Sequence, residues 1–383
     1  MAYRWDEQLE NPGTSRREFL RMTLGSCGAL KFGAIASATN LLPRASRKVV
    51  VVTFGGGARD EETFTLEGQE NIPQLLQNLI PQSTFFTRVV NRGILGHYVA
   101  TASLATGVYE RFDNFAAVCP QNPTVFEYFR KDLGRPATDT WVVAPSNGFN
   151  RIGESDNPAY GADFGAGVVL PKQLLAQFLS KQPGTVYQHL LRDNYETPFY
   201  TPALAGNNIN LHQLAETLQL SLNDFAGHAL QITSPDELSV FIAKKIMKQY
   251  APSLLWITLH DMDVAHTGAF SLYIDGIQRS DRLCGTIWQE IQSNPEYAGK
   301  TTLFILPDFG RDGDGTVGGN GFQHHRTGDI ASRTTWMMVL GHGIRQKVVV
   351  DRPVESTDLA PTLGAILGFS PRLAQGSPLV EVV

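Results

Sequence analysis

The stretch TTLFILPDFGRDGDGTVGGNGFQHHRTGD, residues 301–329, begins as an apolar run, stops at an acid, crosses a glycine-rich loop and ends in adjacent histidines. A run this short with no polar face reads as a strand inside a sheet covered by helices on both sides. Asp308, Asp312, Asp314, His324, His325 and Asp329 lie just past its end, where only water or a ligand can satisfy them. The glycines between them let the loop swing His324 or His325 back toward Asp308.

Five further segments share the form of that strand: KVVVVTF at 48–54, stopped by Gly55-Gly56-Gly57, then 84–90, 140–144, 253–259 and 334–340. Helical patterns alternate with them. Ser234-Pro235-Asp236-Glu237 has an N-cap serine, a proline at the first helical position and a glutamate to close a capping box, which starts a helix running to about Tyr250. From 269 to 293, Leu272, Ile277, Cys284, Ile287, Trp288 and Ile291 fall on one stripe, so this helix lies on the sheet. Strand 253–259, that helix and strand 301–306 form a βαβ unit with parallel strands. The expected fold is α/β, a three-layer α/β/α sandwich with a mostly parallel central sheet. Residues 39–383 form one domain, with a cap or insertion at 145–208, where Gly, Asn, Pro and Asp show no clear period at first.

The 383 residues are 42% hydrophobic and 18% charged, which is globular, and the net charge of −5 excludes a binder of nucleic-acid backbones. Thr14-Ser15-Arg16-Arg17-Glu18-Phe19-Leu20-Arg21 fits the twin-arginine export consensus, and small apolar residues from Met22 to Ala38 follow it. Residues 1–38 are therefore expected to be a signal peptide read by the twin-arginine translocase, with a periplasmic or extracellular product. The stretch is too short, and too interrupted by Lys31, for a stable membrane span. Leu24-Gly25-Ser26-Cys27 also admits a lipoprotein reading. Past residue 38 only Cys119 and Cys284 remain, so a disulfide scaffold is excluded.

In open α/β sheets ligands sit beyond the carboxyl ends of the strands, and there the acids and histidines gather. Arg59, Asp60, Glu61 and Glu62 follow strand 48–54; His260-Asp261-Met262-Asp263-Val264-Ala265-His266 follows 253–259; Asp308 and Arg311 follow 301–306; His324 and His325 precede 334–340. A divalent cation relieves such a cluster by neutralising the acids and taking the nitrogen lone pairs. Mixed N/O donors favour Zn²⁺ or Mn²⁺, with Ca²⁺ or Mg²⁺ open to a carboxylate subset. Each part also has a plain alternative: an Asp263–His266 loop lock, an Asp308 cap, and one of His324 and His325 serving only in packing.

With those segments in view, the chain resembles the alkaline phosphatase superfamily, the fold of alkaline phosphatases, sulfatases, phosphodiesterases and cofactor-independent phosphoglycerate mutases. VVVVTFGGG stands for the first strand, TASLATGVYERF for the segment after the nucleophile, DMDVAHTG for the mutase ligand segment, TLFILPDFGRD for the strand ending in Asp-His-Gly, and STDLAPTL for the C-terminal helix. The closest likeness is to a twin-arginine-exported, sulfatase-like branch. The resemblance implies metal ligation by Asp263, His266, Asp308 and His324 or His325, and an ester oxygen held by Arg311 or Arg59. It expects an acid at the end of the first strand, where this chain has glycines and Asp60 or Glu61 must substitute. Phe309 replaces the Asp-His-Gly histidine, and the nucleophile position falls on Gly96 or His97. The implied activity is an exported metal-dependent hydrolase of phosphate or sulfate esters acting on a small-molecule or glycan ester. The alternative is a non-catalytic metal- or glycan-binding protein with a degenerate site.

Overall fold

The computed structural model describes residues 16, 43, 46–115, 118–145, 149, 151–160, 163–172, 174–175, 220, 222–229, 231–232, 234–315, 321–325 and 328–383. Apart from Arg16, the expected signal peptide lies outside the described residues, as does much of the expected cap.

The described strands are β1 (Lys48–Phe54), β2 (Ser83–Val90), β3 (Thr140–Val143), β4 (Gly167–Val169), β5 (Leu254–Leu259), β6 (Thr301–Leu306), β7 (Thr334–Gly341), β8 (Val348–Val350) and β9 (Val354–Glu355). They form one sheet in the order β4-β3-β5-β1-β6-β7-β2-β8, with β9 also on β2. Gly167–Val169, within the expected cap, is thus an edge strand of the main sheet. The helices are α1 (His97–Thr106), α2 (Val125–Leu133), α3 (Leu222–Ala229), α4 (Pro235–Tyr250), α5 (Phe270–Ser293), α6 (Ile330–Arg333) and α7 (Leu359–Leu367). Ser234 caps α4 as its sequence implies, its hydroxyl accepting from Glu237 N at 3.1 Å.

The alternation of β1 separates the two sides of the sheet. Val50, Val52 and Phe54 join a core with α4 and α5, while Val49 and Val51 join one with α1, α2 and α7. The architecture is therefore the expected sandwich, each large aliphatic side chain contributing about 1.5–3 kcal/mol by leaving water. On α5, Tyr273, Ile277, Cys284, Ile287 and Ile291 face the sheet, but Leu272 is 49% exposed and off the stripe. Cys119 and Cys284 are both free thiols.

One strand runs against the rest of its neighbours. β1, β5 and β6 are parallel, whereas β7 is antiparallel to both β6 and β2. The carboxyl ends of β1, β2, β5 and β6 consequently share an edge with the start of β7. The reversal brings the histidines that precede β7 to the same edge as Asp263 and Asp308; a parallel β7 would have sent them to the other one.

Candidate metal centre

DMDVAHT follows β5 as a 3-10 helix, Asp261–Thr267, closed by Gly268 at φ 77°. In that helix residues three apart eclipse, so Asp263 and His266 share a face and His266 Nε2 lies 3.3 Å from Asp263 Oδ1. The same spacing places His260 Nε2 3.4 Å from Asp263 Oδ2. The turn is anchored by Asp236 in the first turn of α4, whose buried carboxylate accepts from the backbone of His260 and Asp261 at 2.8 Å.

His97 opens α1 and is 3% exposed. Its ring lies between two acids, Nδ1 at 2.7 Å from Asp308 Oδ2 and Nε2 at 3.0 Å from Asp263 Oδ1. Phe309, where the resemblance expects a histidine, stacks on it with centroids 4.5 Å apart. His325 enters from the loop before β7, its Nδ1 2.9 Å from Leu95 O and its Nε2 2.8 Å from His266 Nε2. One atom each from His97, Asp263, His266 and His325 therefore converge within 4.8 Å.

The electrostatics follow from this packing. Burial works against a charged His97, but Asp263 and Asp308 prevail and raise its pKa to about 10. Burial, with His97 nearby, pushes His325 down to about 2 and keeps it neutral. Burial opposes ionisation of Asp263 as well, yet His97, His266 and Arg311 hold its carboxyl well below the ordinary range.

These residues fit a cation. The acceptors at Asp308 Oδ2 and Leu95 O place N–H on the Nδ1 of His97 and His325, which turns both Nε2 atoms inward. Asp263 Oδ2 is buried and makes no hydrogen bond. Three imidazoles and a carboxylate are a donor set suited to Zn²⁺ and related divalent ions. Protons on His97 and His266 complete the same network, so cation and protons compete for one set of lone pairs.

The other expected site residues lie elsewhere. Asp308 meets the cluster through His97. The His324 ring is 6.2 Å from that of His266, and its backbone oxygen accepts from Asp312 N. Asp60 pairs with Arg16 at 2.5 Å, and Glu61 is exposed. Arg59 is held by both oxygens of Glu62 and by Asp314. Arg311, 1% exposed, spends its donors on Gly57 O, Phe322 O and, at 2.6 Å, Asp263 Oδ1. Asp329 caps α6 through Ala331 N, and Asp312 accepts from Ser332 Oγ.

The glycines after β1 have a steric cause. A Cβ on Gly55 would stand 2.0 Å from Leu259 O, and one on Gly56, at φ +93°, 2.7 Å from Asp263 N. The β5 turn closes over the end of β1 so tightly that no acid fits there. His97, expected at the nucleophile position, stands instead among the candidate ligands; an imidazole opening a helix is the signal in its own segment, and the acids that flank it are distant in sequence.

No protein-family model matches the chain, and no curated protein matches it in sequence. Solved structures do. The chain is similar to an alkaline phosphatase, PafA, at TM-score 0.55 and 12% identity over 89% of this chain and 99% of that one. It is also similar to the lipoteichoic acid synthase LtaP of Listeria monocytogenes, at 0.53 and 10% over 95% and 81%. A putative sulfatase from Bacteroides thetaiotaomicron gives 0.53 and 12% over 87% and 74%. The chain has the alkaline phosphatase superfamily fold, with a His/Asp cluster able to hold a metal at its carboxyl edge. Among the described residues, no helix is long and apolar enough to cross a membrane.

Proposed function

We propose that this chain is an exported metal-binding protein on the alkaline phosphatase scaffold, holding one divalent cation, Zn²⁺ or Mn²⁺ in preference to Ca²⁺ or Mg²⁺. The ligands are His97, Asp263, His266 and His325. The observation that carries the reading is the convergence of their four donor atoms within 4.8 Å. Four protein donors make a closed site of the kind that structural metals occupy. His97 stands where the resemblance places the nucleophile, and with Nδ1–H held by Asp308 and the Nε2 lone pair given to the cation it keeps no lone pair for a covalent ester intermediate. Export rests on residues 1–38 as a twin-arginine signal, and it makes the translocase a transient partner.

A second reading is a metal-dependent hydrolase of phosphate or sulfate esters, of small-molecule or glycan type. It is favoured by one observation: the His266 side chain is 22% exposed, so the cluster has a side toward solvent. A bound cation there would supply Lewis-acid activation of water. Arg311 and Arg59 are tied to protein acceptors, which leaves them poorly placed to receive an anionic oxygen.

Elemental analysis of the purified folded chain tests the first reading, with stoichiometric metal expected and its absence counting against both. Assay of the metal-loaded chain with p-nitrophenyl phosphate and p-nitrophenyl sulfate separates the two. Turnover that disappears on chelation and returns with metal would favour the hydrolase.

A further inference from the structure

Arg16 lies far along the chain from the folded domain, yet it is 4% exposed. A buried guanidinium is costly unless its donors are met, and here the domain accepts from two of its nitrogens. Nε reaches Asp60 Oδ1 at 2.5 Å and Nη1 reaches Thr87 O at 2.9 Å. The Cζ atom lies 5.9 Å from the centroid of Phe64, a ring fixed by edge contacts to Phe85 and Trp336.

Each part of this pocket has its own cause. The backbone oxygen of Asp60 accepts from Thr63, Phe64 and Thr65, which winds the loop after β1 into a compact turn that carries the carboxylate. The β2–β7 register shifts between Phe86 and Val89, and Thr87 pairs in register with none of β7, β8 or β9. This irregularity frees its carbonyl from the ladder, while Thr87 Oγ1 is held 2.8 Å from Asp351 Oδ1. A carboxylate and a carbonyl reached by two different nitrogens, with an aromatic ring nearby, suit a planar guanidinium better than an ammonium.

We infer that the folded domain carries a guanidinium pocket, formed by Asp60, the Thr87 carbonyl and Phe64, that captures the N-terminal segment of the same chain through Arg16. The acid read from the sequence as a substitute metal ligand is the counter-ion of this pocket. Both walls exist only once β1 and β2 are in the sheet, so capture reports folding. If residues 1–38 are the export signal proposed above, one of its paired arginines is withdrawn as the domain folds, and pocket and translocase compete for it. The pocket itself depends on neither the metal nor the export reading.

Limited trypsin digestion of the full chain tests this, with cleavage after residue 16 followed by mass spectrometry and normalised to the rate in urea. Protection of about tenfold or more is expected in the native parent, by analogy with the loss of a charged, buried hydrogen-bonded pair. Asp60→Asn should remove most of it while tryptophan fluorescence is unchanged, and Arg16→Lys should lie between the two. Equal normalised rates in the parent and Asp60→Asn would overturn the inference. If Asp60→Asn alters the fluorescence, Arg16→Lys decides alone, and cleavage at the parent's normalised rate overturns it. Either result leaves the metal reading intact, since no ligand of the cluster is changed.

Discussion

The turns that follow β1 and β5 sit side by side on one sheet edge, since the two strands pair in parallel, and in sequence both are dense in charge. Their chemistry differs. In the β1 turn, Arg59 meets Glu62 and Asp314, and Asp60 meets Arg16. The ion-pair partners of the acids there, Arg16 and Arg59, are guanidiniums, which keep their protons and cannot ligate. In the β5 turn, Asp263 faces His97, His266 and His260, with one arginine. Imidazoles can exchange a proton for a cation. The contrast teaches that acids past a strand end mark a metal centre only where their partners are able to give up protons.

The sharpest way to break the contrast is Asp263→Ala. It removes the shared ligand and leaves Arg311 buried beside a void, so stoichiometric metal should vanish and stability fall by about 3–5 kcal/mol, read by elemental analysis and thermal unfolding. Arg59→Gln is the mirror experiment. It strips the buried Glu62 of its charged partner, leaving the Tyr273 hydroxyl, and about 3 kcal/mol should be lost with metal content unchanged; loss of metal would show the two turns to be one unit.

Asp308→Asn sharpens the comparison within the β5 side. It leaves the four donors in place but weakens the hold on the His97 tautomer, so chelator competition should show affinity about 10–100-fold lower. Acidity gives a subtler readout. A proton sits on His97 up to about pH 10 and must leave for a cation to bind, so apparent affinity should rise roughly tenfold per pH unit across the neutral range. The apo chain behaves oppositely. The His97 pKa is raised on folding, so its contribution to stability is complete below the unfolded value of 6.5 and declines as pH climbs toward about 10. A flat affinity profile with pH would contradict His97 as a ligand.

Asp236→Ala should have the smallest effect. Its carboxylate supports two backbone N–H groups of the ligand turn, and their loss should cost about 1–3 kcal/mol, with several-fold weaker metal binding measured by titration.

Much of this was legible in the sequence because it is local. Short β-branched runs became strands, Ser234 started α4, and the three-residue spacing of Asp263 and His266 set them on one face. His325 at the edge was legible as a pair with His324, but which of the two turns inward depends on the Leu95 carbonyl, which is distant in sequence. What stayed hidden depended on contacts across strands. The antiparallel β7 leaves no mark in its own residues. Asp60 reads as a ligand until Arg16 lies against it. His97 reads as a misplaced nucleophile until Asp263 and Asp308 are seen on either side of its ring.

X-ray absorption at the edge of the bound metal tests the central claim most directly. The expected first shell holds three imidazole nitrogens and one oxygen at about 2.0–2.2 Å, with one imidazole lost in His97→Ala. An all-oxygen shell, or one unchanged by that substitution, would contradict the proposed centre.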